Sequence, residues 1–231
     1  MAPFYQNIPF FSIVACMLTG IFTSLIHDGK KAFYVHCALL CAVGTAQAYL
    51  LSRVLPLGLA FDYQVGIVGH PWGNELRVGP LEATLSLAFT AVMLLCVLGG
   101  WEDLQHDLHP DKLHLYFVMC DLMLSSLMAL VYTNDLFTAY VFIEINTIAS
   151  CALVMAKDSG PTIAATMRYM VMSLLASGLF LFGLSLLYWL TGQLLIPNIR
   201  EAIQGICAGG SYRLPLTIVL GLSPAVYLFM T

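Results

Sequence analysis

Apolar runs of bilayer length recur along this chain and are separated by short polar turns. The pattern predicts six membrane-crossing helices, at 8–26, 32–55, 80–100, 113–132, 135–155 and 163–190. Each is close to, or longer than, the roughly 20 residues that a hydrocarbon core takes. The sixth is long enough to tilt or to project from the bilayer. A seventh stretch, 214–230, is short for a span, and Pro215 and Pro224 would kink it. The expected fold class is therefore all-α, a polytopic integral membrane protein with about six to seven transmembrane helices. Residues 1–231 read as one membrane domain. It has N-terminal helices over 8–132, a pair of helices over 133–192, and a loop with the seventh stretch over 193–231.

Composition supports this pattern. Of the 231 residues, 60% are hydrophobic and only 10% are Asp, Glu, Lys or Arg, against about 25% charged in a soluble domain. So few charges cannot cover a water-facing surface, whereas lipid removes that need. The start, Met1 to Phe11, lacks a positive n-region and a small-residue cleavage site, so the first helix is expected to stay in the membrane. The seven cysteines are scattered singly without a C-x-x-C pair, and six of them lie in apolar runs, as small packing residues do. No metal, nicotinamide, flavin or iron–sulfur cofactor is expected. With no basic arm, no nucleic-acid partner is expected either.

The loops differ in character. Residues 57–79 are rich in glycine and aromatics, with Tyr63 and Trp72 suited to an interface. Residues 102–112 are acidic and carry histidines, and read as a solvated turn; His106, His109 and the nearby His114 offer at most an adventitious metal site. Residues 191–212 are expected to hold a short interfacial helix near 199–206. With the amino terminus outside, Lys30, Lys31, Lys112, Lys157 and Arg168 fall on the inner side and Arg53, Arg77, Arg200 and Arg213 on the outer, a slight positive-inside bias.

Chemistry enters with the polar residues inside the spans. Glu144 lies within the apolar run of the fifth span, and Asp121 occupies a similar position in the fourth. Helical rise places both roughly 12–15 Å deep. An intramembrane carboxylate is costly and commonly serves ion or proton movement. The very short turn at Thr133-Asn134 makes the two helices antiparallel neighbours, so the carboxylates could face one another and titrate as a coupled pair. Alternatively Asp121 bonds a backbone or hydroxyl group, with Ser125, Ser126 and Thr147 as candidates. Arg168, one to two turns inside the sixth span, is a candidate to pair with Glu144 through water, or else snorkels. Arginine holds its charge too firmly to carry a proton, so its role would be charge tuning. Gln47, Asn146 and Thr147 are weaker members, and Glu82 marks an entrance or caps its helix.

These residues fall in an ordered series of motifs: Asn134-Asp135-Leu136-Phe137, Tyr140-Val141-Phe142-Ile143-Glu144, Arg168-Tyr169, Phe182-Gly183-Leu184-Ser185-Leu186-Leu187-Tyr188 and Thr191-Gly192. Over 132–192 the chain resembles the antiporter-like membrane subunits of respiratory complex I. It is similar in the same way to the large subunits of multisubunit cation/proton antiporters and to subunits of energy-converting membrane hydrogenases. Pro71-Trp72-Gly73-Asn74-Glu75 matches more loosely. The resemblance implies a fold of about fourteen helices built on two inverted repeats, of which this chain carries the N-terminal, first-repeat portion. It also implies that Glu144 belongs to a proton path, working with a lysine on the seventh helix. That lysine should fall near 221–230, where none occurs, and family members commonly have lysine where this chain has Arg168.

The expectation is a membrane-arm subunit of a proton- or cation-translocating redox or antiporter complex in the cell inner (cytoplasmic) membrane. It would be non-catalytic, relaying protons through Glu144, with Asp121 and Arg168 shaping the charge. Its partners would be other membrane subunits, a separate chain supplying the second repeat among them, with protons or sodium and lipid. A divided, early-terminated or specialised subunit would each fit. The alternative is a structural or assembly subunit of the same kind of complex without independent transport.

Overall fold

A computed structural model describes residues 4–56, 58, 60–65, 74–208, 217 and 221. Six helices among them are long and apolar enough to cross a membrane. These are α1 (Ile8–Ser24), α2 (Gly29–Val54), α3 (Pro80–Gly99), α5 (Leu113–Tyr132), α6 (Leu136–Met155) and α7 (Gly160–Thr191). Strands β1 (Phe61–Val65) and β2 (Asn74–Val78) form a small antiparallel ribbon between α2 and α3, α4 (Trp101–Asp107) follows α3, and α8 (Ile196–Ala208) follows α7. Apart from 217 and 221, the seventh stretch, 214–230, lies outside the described residues, as do Pro71, Trp72 and Gly73 of the Trp72 motif.

Local chemistry sets the helix ends. Asp28 accepts a hydrogen bond from the Lys30 backbone N–H at 3.1 Å, so α2 starts at Gly29 and takes Lys30 and Lys31 into its first turn, earlier than the apolar run predicts. Gly29 is required there by packing, since a Cβ would lie 2.6 Å from Leu113. Asp135 caps α6 by accepting from Thr138 N–H at 2.7 Å. Ser159 and Thr162 form a reciprocal capping box at the start of α7, beside Pro161. Gly192 ends α7 at φ 66°, a left-handed conformation that favours glycine. With 32 residues, α7 is about 48 Å long, longer than the hydrocarbon layer.

α5 is the central helix: it packs on α1, α2, α3 and α6, and α7 packs on the far side of α6. Half of the most apolar stretch of α5 is buried, against 17% for α6. The main core is built from Leu40, Val43 and Leu50 of α2 and Leu124, Met128 and Tyr132 of α5, with Cys16 of α1.

The two ends of the bundle are built differently. At one end, Lys112 pairs with Asp158 and Lys157 with Asp107 at 2.8 Å, all exposed, and Lys30 and Lys31 sit nearby at the Gly29–Leu113 contact. At this lysine end the bond from Lys157 holds the Asp107 carboxyl below its ordinary value of 3.8, and the bond from Lys112 does the same for Asp158. At the opposite end, the α5–α6 turn is bonded through its backbone to the ribbon and to the start of α8. Asn134 N–H donates to Glu75 O, Ile196 N–H to Asn134 O and Leu136 N–H to Leu194 O. This is the ribbon end.

Two loops depart from expectation. Residues 61–65 and 74–78 pair as a ribbon rather than forming an irregular connection, and their alternating residues Phe61, Tyr63, Leu76 and Val78 pack on the bundle. Residues 101–107 are a short helix rather than a turn, anchored by Trp101 stacked on Phe33 with ring centroids 4.0 Å apart.

Candidate functional site

Glu144 is the ninth residue of α6, about 12 Å from the ribbon end. Its side chain is half-buried, and its Oε1 is buried without a hydrogen-bond partner among the described residues. One turn earlier on the same face, Tyr140 stacks on Phe180 of α7 with centroids 6.3 Å apart. The antiparallel register therefore sets Glu144 level with Ala176 and Ser177, both buried. An unpartnered buried carboxylate oxygen amid apolar surface is either protonated or hydrated.

Asp121 lies on a different side of α5. Its Oδ1 is 2.6 Å from Nδ1 of His36 on α2, both side chains are fully buried, and a Cβ at Gly20 of α1 would stand 3.5 Å from its own Cβ. The face of α5 that meets α6 carries instead Ser126, bonded to Asn146 Oδ1 at 3.3 Å, and Met123, which accepts from Ser150 at 3.7 Å. The structure therefore does not bring Asp121 and Glu144 together. Asp121 is nine residues from the lysine end and Glu144 nine from the ribbon end, so their depths also differ by several ångströms. Nor do the hydroxyls considered from sequence serve Asp121. Ser125 donates to Ile13 O, Ser126 to Met123 O and Thr147 to Ile143 O.

Arg168 is exposed on α7. It lies eight residues, about 12 Å, nearer the lysine end than Ala176. Among the described residues it has no ion-pair partner within 4.0 Å, so direct contact with Glu144 is not formed. Its guanidinium is available to lipid headgroups, water or another polypeptide.

Gln47 belongs to a polar knot at the ribbon end rather than to the Glu144 region. Its Oε1 accepts from Ser86 at 2.9 Å and from Tyr132 OH at 2.7 Å, and Ser86 Oγ and Tyr132 OH are 2.7 Å apart. All three residues are fully buried. Beside the knot, Asn134 Nδ2 donates to Glu75 Oε2 at 3.4 Å, and Glu82 stands within electrostatic reach of Tyr132. The histidines of the acidic loop separate. His106 and His109 are exposed beside Asp107 and Asp111, whereas His114 turns inward, and no metal-ligating cluster forms among the described residues.

His36 is the residue that sequence reading missed. Its signal was present: a histidine inside Phe33-Tyr34-Val35-His36-Cys37-Ala38-Leu39-Leu40 is as costly to bury unpaired as the glutamine that was noticed.

Residues 133–228 match the family described as "NADH:quinone oxidoreductase/Mrp antiporter, TM". The chain is 30% identical over 202 residues to NADH-quinone oxidoreductase subunit N of Desulforudis audaxviator, covering 86% of this chain and 39% of that protein. It is 36% identical over 196 residues to the subunit N of Azoarcus sp., covering 80% and 40%. A chain in the structure of the Mrp complex from Dietzia sp. DQ12-45-1b superposes with a TM-score of 0.75 at 20% identity, over 87% of this chain and 39% of that one. That last likeness concerns the fold alone. The chain thus spans about two fifths of the length of the curated relatives it matches. The chain is similar to the antiporter-like superfamily of membrane subunits and matches the first-repeat portion of that fold.

Proposed function

We propose that this chain is part of a membrane-arm subunit of a proton- or cation-translocating redox or antiporter complex, in which Glu144 relays protons. The observation that carries this reading is the buried, unpartnered Oε1 of Glu144 at mid-helix, within the 133–228 segment that matches the family. The similarity to NADH-quinone oxidoreductase subunit N and to a chain of an Mrp complex supports the setting.

Glu144 takes a proton from water and passes it on through water, and a neighbouring charge biases which form it holds. Arg168, about 12 Å away along the bundle axis, exerts a weak field at that distance and tunes occupancy rather than accepting the proton. Further charged partners are contributed by segments outside 1–231, on the same polypeptide or another. The oxidation or exchange that drives transport takes place on other subunits. The lysine end faces the cytoplasm of a cell inner membrane, with Lys30, Lys31, Lys112 and Lys157 there and Arg53, Arg77 and Arg200 opposite.

Glu144→Gln in the assembled complex tests the reading. It should lower coupled proton or cation movement by about 10²-fold, the low end for losing a proton-transfer group, with insertion unchanged. Transport at the wild-type rate and stoichiometry would refute the relay.

A further inference from the structure

Among the described residues, four buried polar atoms on the lysine side of the inner bundle have no hydrogen-bond partner: Thr23 Oγ1 on α1, His36 Nε2 on α2, and His114 Nδ1 and Asp121 Oδ2 on α5. Their residues are between 0% and 6% exposed. Each stranded group would cost about 1–3 kcal/mol, and native interiors settle such groups with ordered water. The four line up in depth. His114 and Asp121 are seven residues apart, on one face of α5 and about 10 Å apart along it. Gly20 packs on Asp121, and Thr23 follows it by three residues, about 4.5 Å nearer the lysine end. His114 is stacked on His27, with centroids 5.2 Å apart, and His27 is exposed. The string therefore starts at the surface and ends at the His36–Asp121 pair.

It does not continue. Gln47 follows His36 by eleven residues on α2, and Tyr132 follows Asp121 by eleven on α5, about 16 Å in each case. The layer between contains Leu40, Val43, Leu124 and Met128, all buried. Thr90 and Ser125 in that layer are bonded to the backbone carbonyls of Ser86 and Ile13.

We propose that the His36–Asp121 pair is a second proton-binding site, distinct from Glu144, which exchanges protons through water only with the lysine end, past Thr23 and His114. The proton arrives from that water and settles on His36 Nε2. The pair changes from one net negative charge, with Nδ1–H donating to the carboxylate, to imidazolium and carboxylate with none. Release returns the proton by the same route. The other titratable groups facing the pair are Cys16 of α1 and Cys120 of α5. Such a blind well stores charge beside the transport machinery without being a through-path. Its use in transport rests on the Glu144 reading, but its existence does not.

Histidine C2-hydrogen exchange, followed by mass spectrometry on the full chain in lipid nanodiscs, reads water access and protonation at each histidine separately. His36 should exchange with a sigmoidal dependence on pH. Asp121→Asn should displace that curve and Glu144→Gln should leave it in place. Thr23→Val, which keeps the pair intact, should slow exchange at His36 severalfold and leave His106 unchanged. In sealed vesicles, a pH change on the side of Lys30 should move the His36 curve, and a change on the side of Arg77 should not. A His36 that fails to exchange at any pH while His27 exchanges would overturn the site. A response from the Arg77 side would overturn the one-sided well. Normal transport in Glu144→Gln with a titrating His36 would sink the relay alone.

Discussion

The bundle of α1, α2, α3 and α5 and the pair α6–α7 use polar residues in opposite ways. In the bundle, side chains bond one another across helices while fully buried, as in His36–Asp121 and Gln47–Ser86–Tyr132, although His36, Asp121 and Gln47 each keep one further polar atom without a partner among the described residues. In α6–α7 the charged groups stand alone: Glu144 keeps a free oxygen, Arg168 is exposed, and much of the apolar surface, including Leu174, Leu175, Leu179 and Phe182, faces outward. Buried mutual bonding fixes helices against each other, whereas an isolated carboxylate is free to answer to whatever approaches it. The first region is therefore a frame, and the second holds its charged groups outside that network.

Substitutions can break this contrast. The largest stability effect belongs to the frame: Leu124→Ala, at a fully buried position, should cost about 2–4 kcal/mol through lost contacts and a cavity. Leu179→Ala on the outer face of α7 should stay within about 0.5 kcal/mol. Steric-trap unfolding in bicelles compares the two, and equal losses would erase the distinction. Tyr132→Phe removes the hydroxyl that donates to Gln47 and lies against Ser86 Oγ and should cost about 1–2 kcal/mol in the same assay. Arg168→Ala should barely alter the stability of this chain yet reduce transport in the assembled complex, with Arg168→Lys retaining more; equal transport in both would free Arg168 from any charge role. The smallest effect concerns acid. Asp107 and Asp158 have carboxyls depressed below 3.8 by their lysine partners, so their contribution is full above that value and fades as pH falls through the depressed ones. Because the pairs are exposed, the change should be slight, should weaken in salt, and should disappear for Asp107 in Lys157→Ala. Hydrogen exchange at residues 101–112 below pH 4 would register it.

Much of this was legible in the chain because helix ends carry local chemistry. α5 was placed to the residue, and α3, α6 and α7 to within three, where Pro80, Asp135, Ser159 and Gly192 mark the boundaries. The tight Thr133-Asn134 turn also gave the α5–α6 neighbourhood. Partner choice was not legible. Asp121 sits in an apolar run that does not say which face meets α6, and its partner is 85 positions away. The ribbon was hidden because five-residue strands leave little periodicity between glycines.

The backbone ties around Asn134 carry one mechanical consequence. With Glu75 on one side and Ile196 on the other, that turn is a clamped fulcrum, whereas the far tip of α6 is held through side chains, by the packing of Ala156 and the exposed Lys112–Asp158 and Lys157–Asp107 pairs. Any swing of α6 would sweep its Met155 end through the widest arc and move Glu144 by a smaller fraction, so the acid's height stays nearly constant while its surroundings rearrange.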